Sequence, residues 1–275
     1  MKLQYLGTAA SEGIPAIFCR CEKCRTAAEK GGRNIRTRSQ ALVDGKILID
    51  FPADTFWHGI KYGIDFSEIS TLLITHTHCD HFYPAEFENR ERGLSNLSGG
   101  KCITVYGSRD IAKPLEMFTH SEKPYGVSLQ VVSAFVPFET EEGYTVTPLK
   151  ANHGTENPYI YLIEHNGKTL LYAHDTGELG ADTYGYLLDK KVKLDMVSID
   201  CTEGTKKIDY DAHMNIERCV SLKNRMRGDG ISNDKTVFVL NHFSHNGGNC
   251  LYDEILPATA GSGMLISYDG MTVEF

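Results

Sequence analysis

Short apolar runs, each closed by a turn signal, recur along the whole 275-residue chain and predict strands more often than helices. "ALVDGKILID" reads as two strands folded around Asp44-Gly45, a dipeptide that tolerates the positive φ of a tight hairpin. "YIYLIEHNGKTLLYAHD" repeats the device around Asn166-Gly167, and "LISYDGMTVEF" does so around Asp269-Gly270. "TLLIT", "CITVYGS", "LQVVSAF", "YTVTPLKA", "MVSID" and "TVFVLN" predict further strands. Helices are predicted between them at about 53–62, 84–92, 109–119, 181–190 and 214–227. In the last, Ile216, Cys219, Val220 and Lys223 recur at helical spacing behind Asn215, a suitable N-cap. No Pro/Gly/Ser-rich linker, repeat or low-complexity tract interrupts the pattern. One α/β domain over residues 1–275 is expected, with sheets inside and helices outside.

The polar positions that end these runs share a chemistry. "TLLIT" ends at His76, "YTVTPLKA" at Asn152-His153, "TLLYAH" at Asp175, "MVSID" at Asp200 and "TVFVLN" at His242, and "KILID" ends at Asp50. If these strand ends share one edge of a sheet, their imidazoles and carboxylates meet in one cleft. "THTHCDHF" adds His78, Asp80 and His81 within a few residues of His76. His76 and His78, two apart on an extended strand end, point to the same side, and a turn is needed to bring Asp80 and His81 back. Neutral imidazoles and carboxylates suit zinc, manganese or iron. An isolated strand-end histidine is more often an ordinary core or surface residue, whereas an H-x-H-x-D-H string with separate downstream histidines and an aspartate points to a metal site.

Composition narrows the class. The apolar fraction of 41% fits a globular core, and no apolar run approaches the ~20 residues that cross a bilayer. "MKLQYLGTAASEG" lacks the long apolar stretch of a secretory signal, so a cytoplasmic protein with no membrane association is expected. A net charge of −8 argues against nucleic acid as a partner. The stretch Arg20–Arg38 departs from this balance, with Arg20, Lys23, Arg25, Lys30, Arg33, Arg36 and Arg38 against two acidic residues. It is either a solvated, mobile loop or a positive rim that draws in a small anion. Eight cysteines with no secretory signal read as metal ligands or buried thiols. Cys19, Cys21 and Cys24 form a C-x-C-x-x-C cluster, and Cys79, Cys102, Cys201, Cys219 and Cys250 read as small hydrophobes.

"THTHCDH" resembles the H-x-H-x-D-H signature of the metallo-β-lactamase-fold hydrolases, and Asp50, His153, Asp175 and His242 follow the chain order of that family's other motifs. The resemblance covers essentially the full chain. It implies an αββα sandwich of two mixed sheets flanked by helices, with two divalent metal ions (zinc or manganese, iron being a third candidate) at one edge. His76, His78 and His153 would hold one ion, Asp80, His81 and His242 the other, with Asp175 bridging and Asp50 orienting the site from behind. C-x-C-x-x-C together with "NHFSH" resembles the PhnP family of cyclic-phosphate phosphodiesterases, in which three such cysteines and a histidine hold a structural zinc. The matching set is Cys19, Cys21, Cys24 and His245, a closed Cys₃His donor set within a zinc-binding loop at about 19–38. His213, in "DAHMNIE", matches a catalytic histidine of PhnP and tRNase Z relatives that could protonate a leaving oxygen, with Asp200 or Asp211 orienting it; a histidine that merely opens a helix is the plainer alternative. Asp80 would orient the attacking water as well as bind metal, and Thr176 and Ser244 are candidate phosphate contacts.

The chain departs from the family pattern at "DHFYPAEF", where glycine is common after the D-H pair, so Phe82 and Tyr83 are expected to shape one pocket wall. His174 stands where glycine is common and is expected not to be a ligand. A small, cyclic ribose phosphate is the expected substrate class, and a homodimer is compatible with the sequence. The alternatives are a tRNase Z-like nuclease, a thioester, lactone or β-lactam hydrolase of the same fold, and a non-catalytic scaffold. The last is implied by likeness to the PQQ-biosynthesis protein PqqB, which has the cysteine cluster without the complete histidine pair.

Overall fold

The structure is a computed structural model that describes residues 1–97, 100–120 and 125–275. Its strands are β1 (Lys2–Gly7), β2 (Gln40–Val43), β3 (Ile47–Ile49), β4 (Thr71–Leu73), β5 (Ile103–Gly107), β6 (Val127–Val131), β7 (Phe138–Glu139), β8 (Thr145–Lys150), β9 (Tyr159–His165), β10 (Lys168–Ala173), β11 (Met196–Asp200), β12 (Val237–Asn241), β13 (Leu265–Ile266) and β14 (Thr272–Glu274). They form two seven-stranded mixed sheets, ordered β14-β1-β2-β3-β4-β5-β6 and β13-β12-β11-β10-β9-β8-β7. The helices are α1 (Glu22–Lys30), α2 (Thr55–Tyr62), α3 (Ala112–Thr119), α4 (Ala181–Asp189), α5 (Ile216–Gly228) and α6 (Tyr252–Ala258).

Side-chain alternation along the strands explains the layers. Leu3 and Tyr5 of β1, Val43 of β2, Ile47 and Ile49 of β3, and Leu170 and Tyr172 of β10 face inward and make one core between the sheets. The intervening Leu42, Leu48 and Leu72 turn outward and pack with Phe87 and with Leu115 and Phe118 of α3. On the other sheet Leu171, Val197 and Leu240 pack with Leu187 of α4, Cys219 and Leu222 of α5, and Ile255 of α6. Two sheets inside and helices on both outer faces are the expected αββα arrangement. Among the described residues, no helix is long and apolar enough to cross a membrane.

The hairpins around Asp44-Gly45 and Asn166-Gly167 form as predicted, joining β2 to β3 and β9 to β10. The C-terminal pair does not. Leu265 pairs in parallel with Val239 in one sheet, while Val273 pairs antiparallel with Leu3 in the other. The chain between them passes from sheet to sheet, pinned by Asp269, whose Oδ1 accepts from Thr8 Oγ1 at 2.6 Å and whose Oδ2 accepts from Thr37 N at 2.7 Å. A turn dipeptide specifies a reversal, not the sheet that receives the next strand. The helix expected at 84–92 is a 3₁₀ stretch over Pro84–Arg90. The strand β1 and helices α1 and α6 have no counterpart among the predicted elements.

The basic stretch Arg20–Arg38 is neither a mobile loop nor a rim around the cleft. It contains α1, and Arg36 is buried, donating from Nη1 to Thr8 Oγ1 and to the Ser267 carbonyl over the Phe243 ring. Arg38 pairs with Asp54 at 2.8 Å, and Arg33 lies over Tyr268. Phe82 is likewise buried, joined to Phe51 by a β-bridge, and so belongs to the outer core of the first sheet.

One close approach holds the loop after β11. Gly204 has φ +52, and a Cβ there would collide with the Gly248 carbonyl oxygen, whereas Gly63, at φ +64 after α2, has open space around it. Alanine at either site costs about 1 kcal/mol for the left-handed backbone, and only Gly204→Ala adds the collision. Urea unfolding should show a loss of about 1 kcal/mol for Gly63→Ala and at least about 2 kcal/mol more for Gly204→Ala; equal losses would mean that the Gly204–Gly248 contact yields easily.

Candidate metal centre

The strand ends that the sequence singles out lie on one rim, but they come from two sheets. Strands β1, β3 and β4 of the first sheet and β8, β10, β11 and β12 of the second all run toward it. The ends of β1 and β12 are joined directly, with Phe243 N donating to Thr8 O and Ala10 N to Phe243 O, both at 3.0 Å. Asp50, Asp175 and His242, just beyond β3, β10 and β12, all have left-handed backbones, with φ of +65, +51 and +65. Non-glycine residues adopt that conformation at a cost of about 1 kcal/mol or more each, and such strain is concentrated at functional rims.

The side chains form two groups that share Asp175. His76, His78, His153 and Asp175 bring four donor atoms together, and Asp80, His81 and His242 bring three more to the same Asp175. In the first, His76 Nε2 lies 3.0 Å and His153 Nε2 3.2 Å from His78 Nδ1. In the second, His81 Nε2 lies 3.2 Å from His242 Nε2 and 3.3 Å from Asp80 Oδ2. Asp175 Oδ2 is 3.1 Å from both His76 Nε2 and His81 Nε2, and 3.4 Å from His153 Nε2. Its Oδ1 is buried and makes no hydrogen bond among the described residues, with His213 Nδ1 and His242 Nδ1 facing it at 3.3 and 3.7 Å.

The outer nitrogens are held from behind. His81 Nδ1 is 2.7 Å from Asp50 Oδ2, and Asp50 Oδ1 accepts from Thr75 N and Thr75 Oγ1 at 2.9 and 2.8 Å. His242 Nδ1 is 2.8 Å from Thr202 Oγ1, His76 Nδ1 is 3.0 Å from Thr75 Oγ1, and His153 Nδ1 is 3.3 Å from the Ala212 carbonyl. Partners of this kind fix ring orientation and leave the opposite nitrogen for a metal. Converging imidazole nitrogens, two buried carboxylates and an orphaned carboxylate oxygen fit two divalent cations in chemistry and position.

Electrostatics agrees. Burial raises the cost of ionising Asp80, yet the charge on His81 and its hydrogen bond hold the carboxyl well below the usual range. Burial also opposes ionisation of Asp175, and His242, His76 and His81 outweigh it. His81 and His242 are buried too, but Asp50 and Asp80 around the first and Asp175 and Asp200 around the second favour positive charge there. His76, desolvated and beside His81, is pushed down to about 4 and so stays a neutral donor.

His213 sits at the edge of the second group, its Nδ1 3.2 Å from Asp200 Oδ2 and 3.3 Å from Asp175 Oδ1. Burial works against its charge, but the bond to Asp200 and the two carboxylates push it up to about 9. Asp200 is its orienting partner. Asp211 is not, because its carboxylate accepts from Asn152 Nδ2 at 2.6 Å and from Glu178 N at 2.9 Å. His174 lies behind the rim, with Nε2 2.7 Å from Ser198 Oγ and Nδ1 3.1 Å from Asn241 Nδ2, away from both donor groups.

Cys19, Cys21, Cys24 and His245 form a separate four-donor group. His245 Nδ1 faces the sulfurs of Cys19 and Cys21 at 3.7 and 3.6 Å. Burial works against the Cys21 thiolate, but the Cys24 amide, His245 and the neighbouring thiols pull its pKa down to about 6. Cys₃His with every donor supplied by protein fits a structural zinc, which would clamp the start of α1 to the β12 end. Cys201, Cys219 and Cys250 are buried as expected, whereas Cys79 and Cys102 are exposed.

A cavity of about 460 Å³ opens over the rim, lined by His78, Asp80, His153, Asp175, His213 and His242 among others. Ser244 lines it, with its hydroxyl already donated to Glu12. Thr176, expected as a phosphate contact, is fully buried; its Oγ1 accepts from Asn152 N at 2.9 Å, tying the ends of β8 and β10 together. Tyr83 and Phe82 do not line the cavity. The wall comes instead from Glu12 after β1 and from Glu203 and Tyr210 after β11, which strand-end counting does not reach because their positions depend on loops.

Comparison with known proteins agrees with this geometry. A family model described as a beta-lactamase superfamily domain matches residues 49–243. An octanoyltransferase of Porphyromonas gingivalis is 24% identical over 282 residues, covering 98% of this chain and 51% of that protein, so the chain spans about half its length. Among solved structures, a diphosphatase from the PhnP family superposes with a TM-score of 0.75 at 22% identity, covering 100% of this chain and 96% of that one. Zinc-bound PqqB from Methylobacterium extorquens gives 0.70 at 18% identity, covering both chains fully.

If Asp50 holds His81 as described, Asp50→Asn should weaken metal binding by about 10- to 100-fold, because the amide has no charge and its single oxygen cannot accept from both His81 Nδ1 and the Thr75 donors. Competition with a chelator measures this; unchanged affinity would show that His81 needs no such support.

Proposed function

The chain belongs to the beta-lactamase superfamily, and we propose that it is a metal-dependent phosphodiesterase acting on a small phosphate ester, with a cyclic ribose phosphate as the substrate class. The observation that carries this is His213, whose Nδ1 lies 3.2 Å from Asp200 and 3.3 Å from Asp175 beside a complete double ligand set. A phosphoryl group needs strong positive charge at its oxygens and a proton for its leaving group, which two cations in these ligand sets and His213 would supply. The likeness to a PhnP-family diphosphatase, in fold, supports phosphorus chemistry over other ester cleavage.

His76, His78, His153 and Asp175 would hold one divalent cation, and Asp80, His81, His242 and Asp175 the other. When bound, such a pair supplies Lewis-acid charge and makes water reactive at neutral pH; zinc, manganese and iron all suit these donors. The ionised Asp80 accepts a hydrogen bond from the attacking water and sets its line of approach. As the bond from phosphorus to the alcohol oxygen breaks, His213 gives that oxygen its proton from Nε2, while Nδ1 stays bonded to Asp200. The cavity lining carries no lysine or arginine, which favours a small substrate over a polynucleotide gripped along its backbone.

A second reading rests on the octanoyltransferase match, since 98% of this chain aligns with about half of that protein. The same rim could polarise a thioester carbonyl, with His213 protonating the leaving group. Turnover of an S-octanoyl thioester without turnover of phosphodiesters would replace the first reading by the second. Tight zinc at the cysteines with no metal uptake at the histidines would replace both by a PqqB-like binding role.

The protein loaded with zinc or manganese should hydrolyse bis(p-nitrophenyl) phosphate, and His76→Ala should abolish it. His213→Ala should lower kcat by about 10²- to 10⁴-fold on alkyl phosphodiesters and far less on p-nitrophenyl esters, whose leaving group needs no proton. Equal losses on both would remove His213 from the proton donor role.

A further inference from the structure

The outer wall of the cavity contains a carboxylate that the hydrolytic steps do not use. Besides Asp80 and Asp175, two acidic side chains, Glu12 and Glu203, line the cavity, and among the described residues no lysine or arginine does. Glu203 is largely buried: the Tyr210 hydroxyl donates to Oε1, and Oε2, which makes no hydrogen bond among the described residues, has its charge balanced by Lys206 Nζ at 3.3 Å. Glu12 is different. Its Oε1 accepts from Ser244 Oγ, and from Asn246 Nδ2 at 3.2 Å, with His245 Nε2 3.6 Å away. Its Oε2 has no partner among the described residues, and no lysine or arginine pairs with it.

The seat of Glu12 is built from two distant segments. It follows the point where β1 is bonded to Phe243 of the β12 end, and its two donors, Ser244 and Asn246, belong to the loop that also carries His245. An ionised acceptor fixed in this way costs little ordering when a hydroxyl binds, so the bond formed is a strong one. The same carboxylate, with no lysine or arginine paired to it among the described residues, opposes a second anion at its side of the cavity.

We propose that Glu12 determines specificity: it accepts a hydrogen bond from a hydroxyl on the alcohol portion of the substrate and turns away substrates with a second phosphate there. The inference rests on the phosphodiesterase reading and adds to it the class of alcohol, a polyol or sugar with free hydroxyls. Glu12 touches no reacting atom in this scheme.

The test compares three substrates on the metal-loaded full chain: glycerol 1,2-cyclic phosphate, its deoxy analogue propane-1,2-diol cyclic phosphate, and glycerol 1,2-cyclic phosphate esterified with a second phosphate at the free hydroxyl. The wild-type protein should prefer the first over the second by about 10- to 100-fold in kcat/KM, the range of a charge-assisted hydrogen bond, and chiefly through KM. The third should be the poorest. Glu12→Gln, which keeps an acceptor for Ser244 but loses the charge, should shrink the first preference and improve the third substrate relative to the other two. Calorimetric binding of the products glycerol 1-phosphate and propane-1,2-diol 1-phosphate should follow the same order without turnover, and zinc content at the cysteines should report whether the His245 loop is intact. A Glu12→Gln protein that loses activity equally on all three, or whose zinc falls in parallel, would make Glu12 a brace for the His245 loop and overturn the proposal. Wild-type cleavage of all three without discrimination overturns this inference alone; cleavage of none overturns the phosphodiesterase reading and the inference with it.

Discussion

Asp175 is the carboxylate on which the rim depends. It belongs to the His76 group, to the His81 group and to the cluster with Asp200, His213 and His242, with its two oxygens turned to different partners. A buried carboxylate is tolerated only when positive charge or donors compensate it. The left-handed backbone at Asp175 directs it there, and β10 carries it between the β9 and β11 strands of the sheet. The histidine groups converge because this carboxylate needs them as much as a cation would.

Fold and chemistry are coupled through the junction between the sheets. The inward faces of β1, β3 and β10 make a core that holds the sheets together, and the bonds between the ends of β1 and β12 close it at the rim. Donors from opposite sheets thus stand within hydrogen-bond distance of one another. The cysteine group extends this logic outward, since a metal held by Cys19, Cys21, Cys24 and His245 would fasten α1 to the segment following His242. The basic residues of that segment serve the same docking, in ion pairs, over aromatic rings and, for Arg36, in the interior.

The wall of the cavity is built from different parts of the chain than the rim. Its acidic and hydroxylic side chains, Glu12, Glu203, Tyr210 and Ser244, come from loops, while the metal-competent groups stand at the rim itself. In the proposed function this would separate two tasks, with the rim neutralising and activating and Glu12 selecting the remainder of the molecule. Specificity in a common fold usually resides in such loops, because they change without disturbing the strands that hold the reactive groups.

Local spacing was enough to read the strand ends, two of three hairpins, the H-x-H-x-D-H turn and the cysteine triplet, because each is set by neighbours in the chain. Periodicity and turn residues act over a few positions, and the metal-competent residues stand where runs of apolar residues stop. It was silent on what long-range contact settles. "LISYDGMTVEF" has a hairpin's turn, yet pairing with β12 and β1 sends its halves to different sheets. Phe82 looked like a pocket residue until the bridge to Phe51 placed it in the core, and Arg36 looked like part of a charged rim until it folded over Phe243. Glu12, in an unremarkable run of small residues, became a cavity residue only when β12 brought Ser244 and Asn246 to it from more than 200 residues away. Burial and partnership are properties of the assembled sheets, and no window along the chain contains both members of those pairs.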